Sequence, residues 1–261
     1  MRTSRYKRNM RLSNILLVIA IVLLFAGIIL IATDIAKKNI RLGKINEGVN
    51  SMDAVIVDSI RSAETLTEDQ ANGTVSEPTV TLIVDNNALG VTGEEYDFFG
   101  TDEEIAAQRE AVENELDNQY TGYTVLQGIG ILDIPCIDAH LPIWQTTNNI
   151  TLRYGTGHYV GSVMPGQVGN CSILGHHMRQ YGSIFNRLEE VGVGDTITVT
   201  NLRGYQYTYI VDETVVVPPE ELGDYLRGGI TDTRQITLVT CTYTSTGKQR
   251  FVVIGHIQDG Q

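Results

Sequence analysis

Apolar positions along the chain follow two regimes. From Ile15 to Ala32, eighteen consecutive residues are drawn from Ile, Leu, Val, Ala, Phe and Gly. At 1.5 Å per residue such a run makes a helix of about 27 Å, enough to cross a bilayer core. The run is longer than the usual apolar region of a signal peptide, and Ala32-Thr33-Asp34 makes a poor cleavage site, so an uncleaved span is expected rather than a removed leader. From Asn39 to about Gly122 no strong period is evident. Short apolar pieces such as Ala54 to Val57 and Val80 to Val84 lie among Asn, Asp, Glu, Thr and Gly, the texture of a stalk or accessory region. One exception runs from Glu103 to Asp117, which lacks Gly and Pro and spaces Ile105, Val112 and Leu116 to predict a helix.

From Tyr123 onward, short β-branched runs are separated by Gly, Pro and Asn. Gly130 to Ile134, Thr196 to Thr200, Tyr205 to Val217, Gln235 to Cys241 and Arg250 to Ile257 read as strands, the third with Tyr205, Tyr207 and Tyr209 alternating with polar neighbours. One short helix is expected at Ser183 to Val191. The gaps are too short or too rich in Gly and Pro for the crossover helices of a parallel α/β sheet, so the expected fold class is mostly β, a closed or nearly closed β-barrel. The layout is then a basic tail over 1–14, a transmembrane helix over 15–32, a stalk or accessory region over 33–119 and a β domain over 120–261.

Charge sets the orientation. Arg2, Arg5, Lys7, Arg8 and Arg11 precede the span with no acidic residue among them, which keeps the N-terminus cytoplasmic. Lys37, Lys38, Arg41 and Lys44 beyond the span weaken that asymmetry. All 31 acidic residues follow the span, against 14 of the 19 basic ones, so the exported part carries a net charge of −17. That excess speaks against nucleic acid as a partner and is read as a solvated surface. No dedicated metal cluster is evident and no cofactor is expected. Three cysteines in an exported chain cannot all pair with one another, which leaves at least one for another role.

The closing stretch carries the candidate chemistry. Thr237-Leu238-Val239-Thr240-Cys241 is followed by eight polar loop residues and then Arg250-Phe251-Val252-Val253, which predicts an antiparallel hairpin with Cys241 and Arg250 across from each other. A guanidinium beside a thiol favours the thiolate, giving a nucleophile. Arginine cannot serve as a base, so proton transfer needs a histidine. Of His140, His158, His176, His177 and His256, position favours His176, which follows Cys171-Ser172-Ile173-Leu174-Gly175 at a strand end where Gly175 leaves room for substrate; His177 is the runner-up.

Together, Thr-Leu-Val-Thr-Cys at 237–241, an arginine nine residues later opening an apolar strand, and Ile-Leu-Gly-His at 173–176 resemble the three signatures of sortases. Ile131-Leu132-Asp133-Ile134-Pro135, Leu141-Pro142-Ile143 and Gly155-Thr156-Gly157-His158 extend the similarity, which covers about 120–261. The resemblance implies an eight-stranded barrel and cysteine transpeptidation at a Gram-positive surface. In that scheme Cys241 is nucleophile, His176 general acid/base and Arg250 oxyanion stabiliser. The expected donors are surface proteins or pilins with a Leu-Pro-x-Thr-Gly-like sorting signal, and the acceptor is an amine of a peptidoglycan precursor or a pilin lysine.

Thr240 and His177 are secondary substrate-side candidates. His158, His140 and His256 are expected to be structural, and Cys136 and Cys171 to be small buried strand residues, with a disulfide between them the minority option. Gly175 to Phe185 resembles the Gly-His-Asn-Met region of class B, while Leu141 to Gly161 is closer to classes A, C and D, so the class stays open. Class C members usually carry a second membrane span, which is not expected here because the chain ends at Gln261, soon after its last strand. Tyr96-Asp97-Phe98-Phe99 is a minor lid candidate. The alternatives are a hydrolytic cysteine peptidase and a non-catalytic membrane-tethered β-domain.

Overall fold

The computed structural model describes residues 2–65, 77–86, 88–89, 122–178, 182–227, 231–245 and 247–258. The expected helix at 103–117 and the lid candidate at 96–99 lie outside them. Contacts divide the chain into two units, 1–41 and 42–261.

A single helix, α1 (Arg2–Thr65), carries the Ile15–Ala32 run. Its apolar stretch is long enough to cross a membrane and is exposed, with Leu23 and Leu30 each 66% accessible. The helix does not stop where the apolar run ends. Residues 42–65 belong to the second unit and bury Ile45, Val49, Met52 and Ile56. Spacings of four, three and four residues line these up on one helical face. The stretch read as stalk without period is therefore amphipathic helix up to Thr65. The period is diluted by the residues between the four anchors, Asn46 to Gly48, Asn50 and Ser51, and Asp53 to Val55.

Nine strands are present among the described residues: β1 (Thr81–Asp85), β2 (Tyr123–Ile134), β3 (Ala139–Gln145), β4 (Thr156–His158), β5 (Gly169–Leu174), β6 (Thr196–Asn201), β7 (Gln206–Val217), β8 (Arg234–Thr244) and β9 (Gly247–His256). The order is β1-β2-β3-β4-β5-β8-β9-β7-β6, and β6 also pairs with β2, from Gly130↔Asn201 to Asp133↔Thr198. Strands β2 to β9 thus form a closed ring of eight, with β1 added outside on β2. Val80 to Val84, one of the short apolar pieces, supplies most of that outer strand.

Two departures from the sequence reading are local. Ser183–Val191 is not a regular helix but a set of turns ending in a 3-10 turn at Leu188–Glu190, because Ile184 sits at φ 48° and bridges back to His177. The eight-residue loop of the last hairpin is shorter than expected, since Thr242 to Thr244 extend β8 and Thr244 pairs with Gly247. Threonine and tyrosine favour strands even where the run is polar.

Alternation separates the faces of the ring. Leu132, Ile134, Ile143, Ile173, Ile197, Val199, Tyr209, Ile236, Leu238 and Val253 fill its interior. Outside β2 and β3, a second cluster joins Val49, Met52 and Ile56 of α1 to Leu82, Leu126, Ile131 and Trp144. Trp144 is fully buried and donates its indole N–H to Tyr154 O at 2.8 Å. Gly48 of α1 lies against that indole, and a Cβ there would meet Trp144 ring carbons at 2.6 and 2.9 Å.

Gly48→Ala should therefore destabilise the fold by about 1–3 kcal/mol through overpacking, although alanine gains about 1 kcal/mol of helix propensity. Thermal unfolding checks this, and a raised melting temperature would contradict the close approach.

Candidate active site

Strand register assembles the candidate residues. In the β8/β9 ladder Cys241 pairs directly with Arg250, so their side chains leave the same face. Strand β5 runs parallel to β8, with Ile173 opposite Leu238 and Leu174 opposite Val239. The chain then keeps this course: Gly175 N donates to Val239 O at 3.0 Å, and Thr240 Oγ1 donates to Gly175 O at 2.9 Å. His176 is the next residue along this course, and Cys241 the next after Thr240.

The face follows from alternation. Ile236 and Leu238 point into the ring, whereas Val239, Val252 and Leu174 belong to a third apolar cluster on the outside. Cys241, Arg250 and His176 continue those three outward rows, and each is half-buried. The neighbouring β7 ends with Val217 opposite Arg250.

Beyond Val217 the chain turns over this outer face through Pro219–Glu221 and a short helix, α2 (Gly223–Leu226). Leu222, Tyr225 and Leu226 pack with Val217, Val239, Val252 and Leu174. The sequence reading left this excursion unassigned. Its signal was Pro218-Pro219-Glu220-Glu221, which ends one strand run well before the next begins.

The secondary candidates take other positions. Thr240 is 2% exposed and its hydroxyl is held by Gly175 O, which fastens the histidine-bearing segment to β8. His177 is half-exposed and forms an isolated bridge with Ile184. Packing leaves no space for a side chain at Gly175, since a Cβ would meet the Phe185 ring at 2.6 Å.

The other histidines are engaged away from this row. His158 is buried and meets Val163 O at 2.9 Å and Ser162 Oγ at 3.1 Å; burial pushes its pKa down. His256 bonds the Asp212 carboxylate through Nδ1 and Gln235 Oε1 through Nε2 at 3.1 Å. His140 lies between Asp133 at 2.5 Å and Asp53 of α1 at 3.3 Å.

Cys136 and Cys171 are both free. Cys171 is buried as expected, and burial pushes its thiol up to about 12. Cys136 is not a buried strand residue: Pro135 starts a 3-10 turn that leaves it exposed. Partial desolvation, then the Asp195 carboxylate, push its thiol up to about 11. A cleft of about 720 Å³ is lined by Gln127 to Ile129, Met164 to Gln167, Asn201 to Arg203, Tyr205 and Tyr207 among others, and none of Cys241, His176 or Arg250 borders it.

The Sortase domain family matches residues 132–258, a span that contains all three of these residues. A putative sortase of Bacillus subtilis, YwpE, is 30% identical over 91 residues, which cover 35% of this chain and 85% of that protein. The chain belongs to the sortase family. Sortase A of Listeria monocytogenes is 31% identical over 130 residues, half of this chain and 56% of the relative's length. Among solved structures, the Sortase D5 transpeptidase of Clostridium perfringens aligns with a TM-score of 0.45 at 32% identity, covering 50% of this chain and 79% of that one.

Two predictions follow from the titrating groups of this sortase. At pH 8 iodoacetamide should label one thiol per folded chain, and Cys241→Ala should take up almost none, because thiols at about 11 and about 12 are almost wholly protonated there. Mass spectrometry counts the adducts; prompt labelling at Cys136 would contradict it. The pKa of His140 is raised: desolvation opposes the charged form, but bonds to Asp133 and Asp53 outweigh it. Its stabilising contribution is then complete below about pH 6.5 and lost as pH rises through the folded-state value. His140→Gln should flatten the change in urea midpoint between pH 5.5 and 8, and an unchanged slope would contradict the assignment.

Proposed function

We propose that this sortase is a membrane-anchored cysteine transpeptidase that cleaves a Leu-Pro-x-Thr-Gly-like sorting signal and transfers the protein to an amine. The acceptor is a cell-wall precursor or a pilin lysine at a Gram-positive cell surface. The basic residues before the apolar helix hold the N-terminus on the cytoplasmic side, and residues 120–261 work outside.

In this cycle the Cys241 thiolate attacks the carbonyl carbon of the signal threonine. The carbonyl electrons move onto oxygen, where the Arg250 guanidinium stabilises them. Collapse of the adduct breaks the C–N bond, His176 gives its proton to the departing amine, and a thioester remains. The acceptor amine then attacks the thioester, His176 takes up its proton and the thiolate leaves. One amide is broken and one is formed, so the balance needs no cofactor.

The observation that carries this reading is register: Cys241 pairs across the ladder with Arg250, and β5, parallel to β8 on the other side, ends two residues before His176. Membership of the sortase family adds the reaction class.

The test uses the full chain in detergent micelles with a sorting-signal peptide and triglycine. Ligated peptide is the expected product. Exclusive free acid would make the chain a hydrolytic peptidase, and absence of any turnover would leave a non-catalytic tethered domain. Cys241→Ala should lower turnover by about 10³-fold or more with unfolding temperature nearly unchanged.

A further inference from the structure

The outer face of β5 and β8 carries a second set of side chains that the reaction does not use. In the rows that end at His176 and Cys241, Leu174 and Val239 are apolar, but Asn170, Ser172 and Thr237 are polar and fully buried. Gln235, next in the β8 row, is 8% exposed. Burying such groups is unfavourable unless each finds a partner, and valine would fill the same alternating positions at no such penalty.

The partners are main-chain carbonyls of the excursion. Asn170 Nδ2 donates to Tyr225 O at 2.7 Å and to Ser172 Oγ at 3.0 Å, and Ser172 Oγ donates to Leu226 O at 3.0 Å. A carbonyl only accepts, which fixes the direction of every other bond. Asn170 must turn its Oδ1 to Thr237, whose hydroxyl donates to it at 2.8 Å. Thr237 accepts from Gln235 Nε2 at 3.1 Å, which turns Gln235 Oε1 toward His256 Nε2 at 3.1 Å. A one-way chain of donors thus runs from Gln235 of β8 to β5 and ends on the carbonyls of Tyr225 and Leu226 in the last turn of α2.

We propose that Asn170, Ser172 and Thr237 are positioning residues that lock the 218–227 excursion over the row bearing Cys241, and so set donor-peptide affinity without touching the peptide. The apolar contacts of Leu222 and Leu226 permit sliding, whereas two carbonyls held by two fixed donors admit one placement. The part of this inference that concerns peptide affinity rests on the transpeptidase reading above.

The test compares Asn170→Asp, Ser172→Ala and Thr237→Val in the full chain. Asn170→Asp keeps the size but sets a carboxylate oxygen against Tyr225 O. Ser172→Ala removes one carbonyl contact, and Thr237→Val cuts the chain one bond upstream, with Thr237→Ser as the conservative rescue. The expected result for Asn170→Asp and Ser172→Ala is faster amide exchange confined to 218–227 and KM for the donor peptide raised about tenfold, with kcat and Cys241 alkylation within about twofold. Thr237→Val should move the same readouts less, and Thr237→Ser should restore them. Unchanged exchange in 218–227, or kcat and alkylation falling together with KM unmoved, would overturn the proposal. If the parent chain transfers no peptide, the transpeptidase reading falls, and the exchange data alone still decide whether these residues hold the excursion.

Discussion

Every feature of the site depends on the register of three adjacent strands. Side chains alternate along a strand, so a slip of one residue between β8 and its neighbours would send Cys241 to the interior and Thr240 outward. The interior set guards against that slip: Ile236 and Leu238 of β8, Ile173 of β5 and Val253 of β9 all need the apolar side at once. Burial of four large aliphatic side chains therefore fixes the placement of three polar ones. The Thr240 hydroxyl extends this control past the end of β5, where it and the Val239 carbonyl both bond Gly175, the residue before the histidine.

The two outer faces are covered differently. On β2 and β3 the cover is α1 beyond residue 41 together with β1, with Trp144 buried between helix and sheet. Gly48 allows the close approach, so that face is sealed by shape. On β5, β8, β9 and β7 the cover is the short 218–227 excursion, which has few apolar anchors and is tied by hydrogen bonds to buried polar side chains. Shape complementarity suits a permanent seal. Directional bonds suit a cover whose exact position matters to what fits beneath it.

Much of this was legible in the sequence, for reasons that differ by element. The β8/β9 pair could be read because a strand run ending in Cys241 and another opening at Arg250 leave a hairpin as the simplest connection. The ladder puts them face to face, though the turn proved shorter because Thr242 to Thr244 continue the strand. The placement of His176 needed β5 to lie parallel beside β8, a long-range pairing that local pattern does not encode. The helix over 42–65 was missed although Ile45, Val49, Met52 and Ile56 carry its period. Four anchors among polar residues look weak until their partners on the sheet are known. Cys136 was misread as a buried strand residue, whereas Pro135 starts a turn there. The polar residues of β5 drew no attention because their partners include carbonyls more than fifty residues away.

The β2–β6 pairing has a mechanical corollary. In an open sheet a ladder can part at a flank, and the gap spreads as each strand peels from the next. A ring offers no flank: parting one seam strains its opposite, so the eight strands resist opening as a unit. Any larger movement around Cys241 must then come from the connecting segments, leaving the row that bears it as a fixed anvil against which those segments shift.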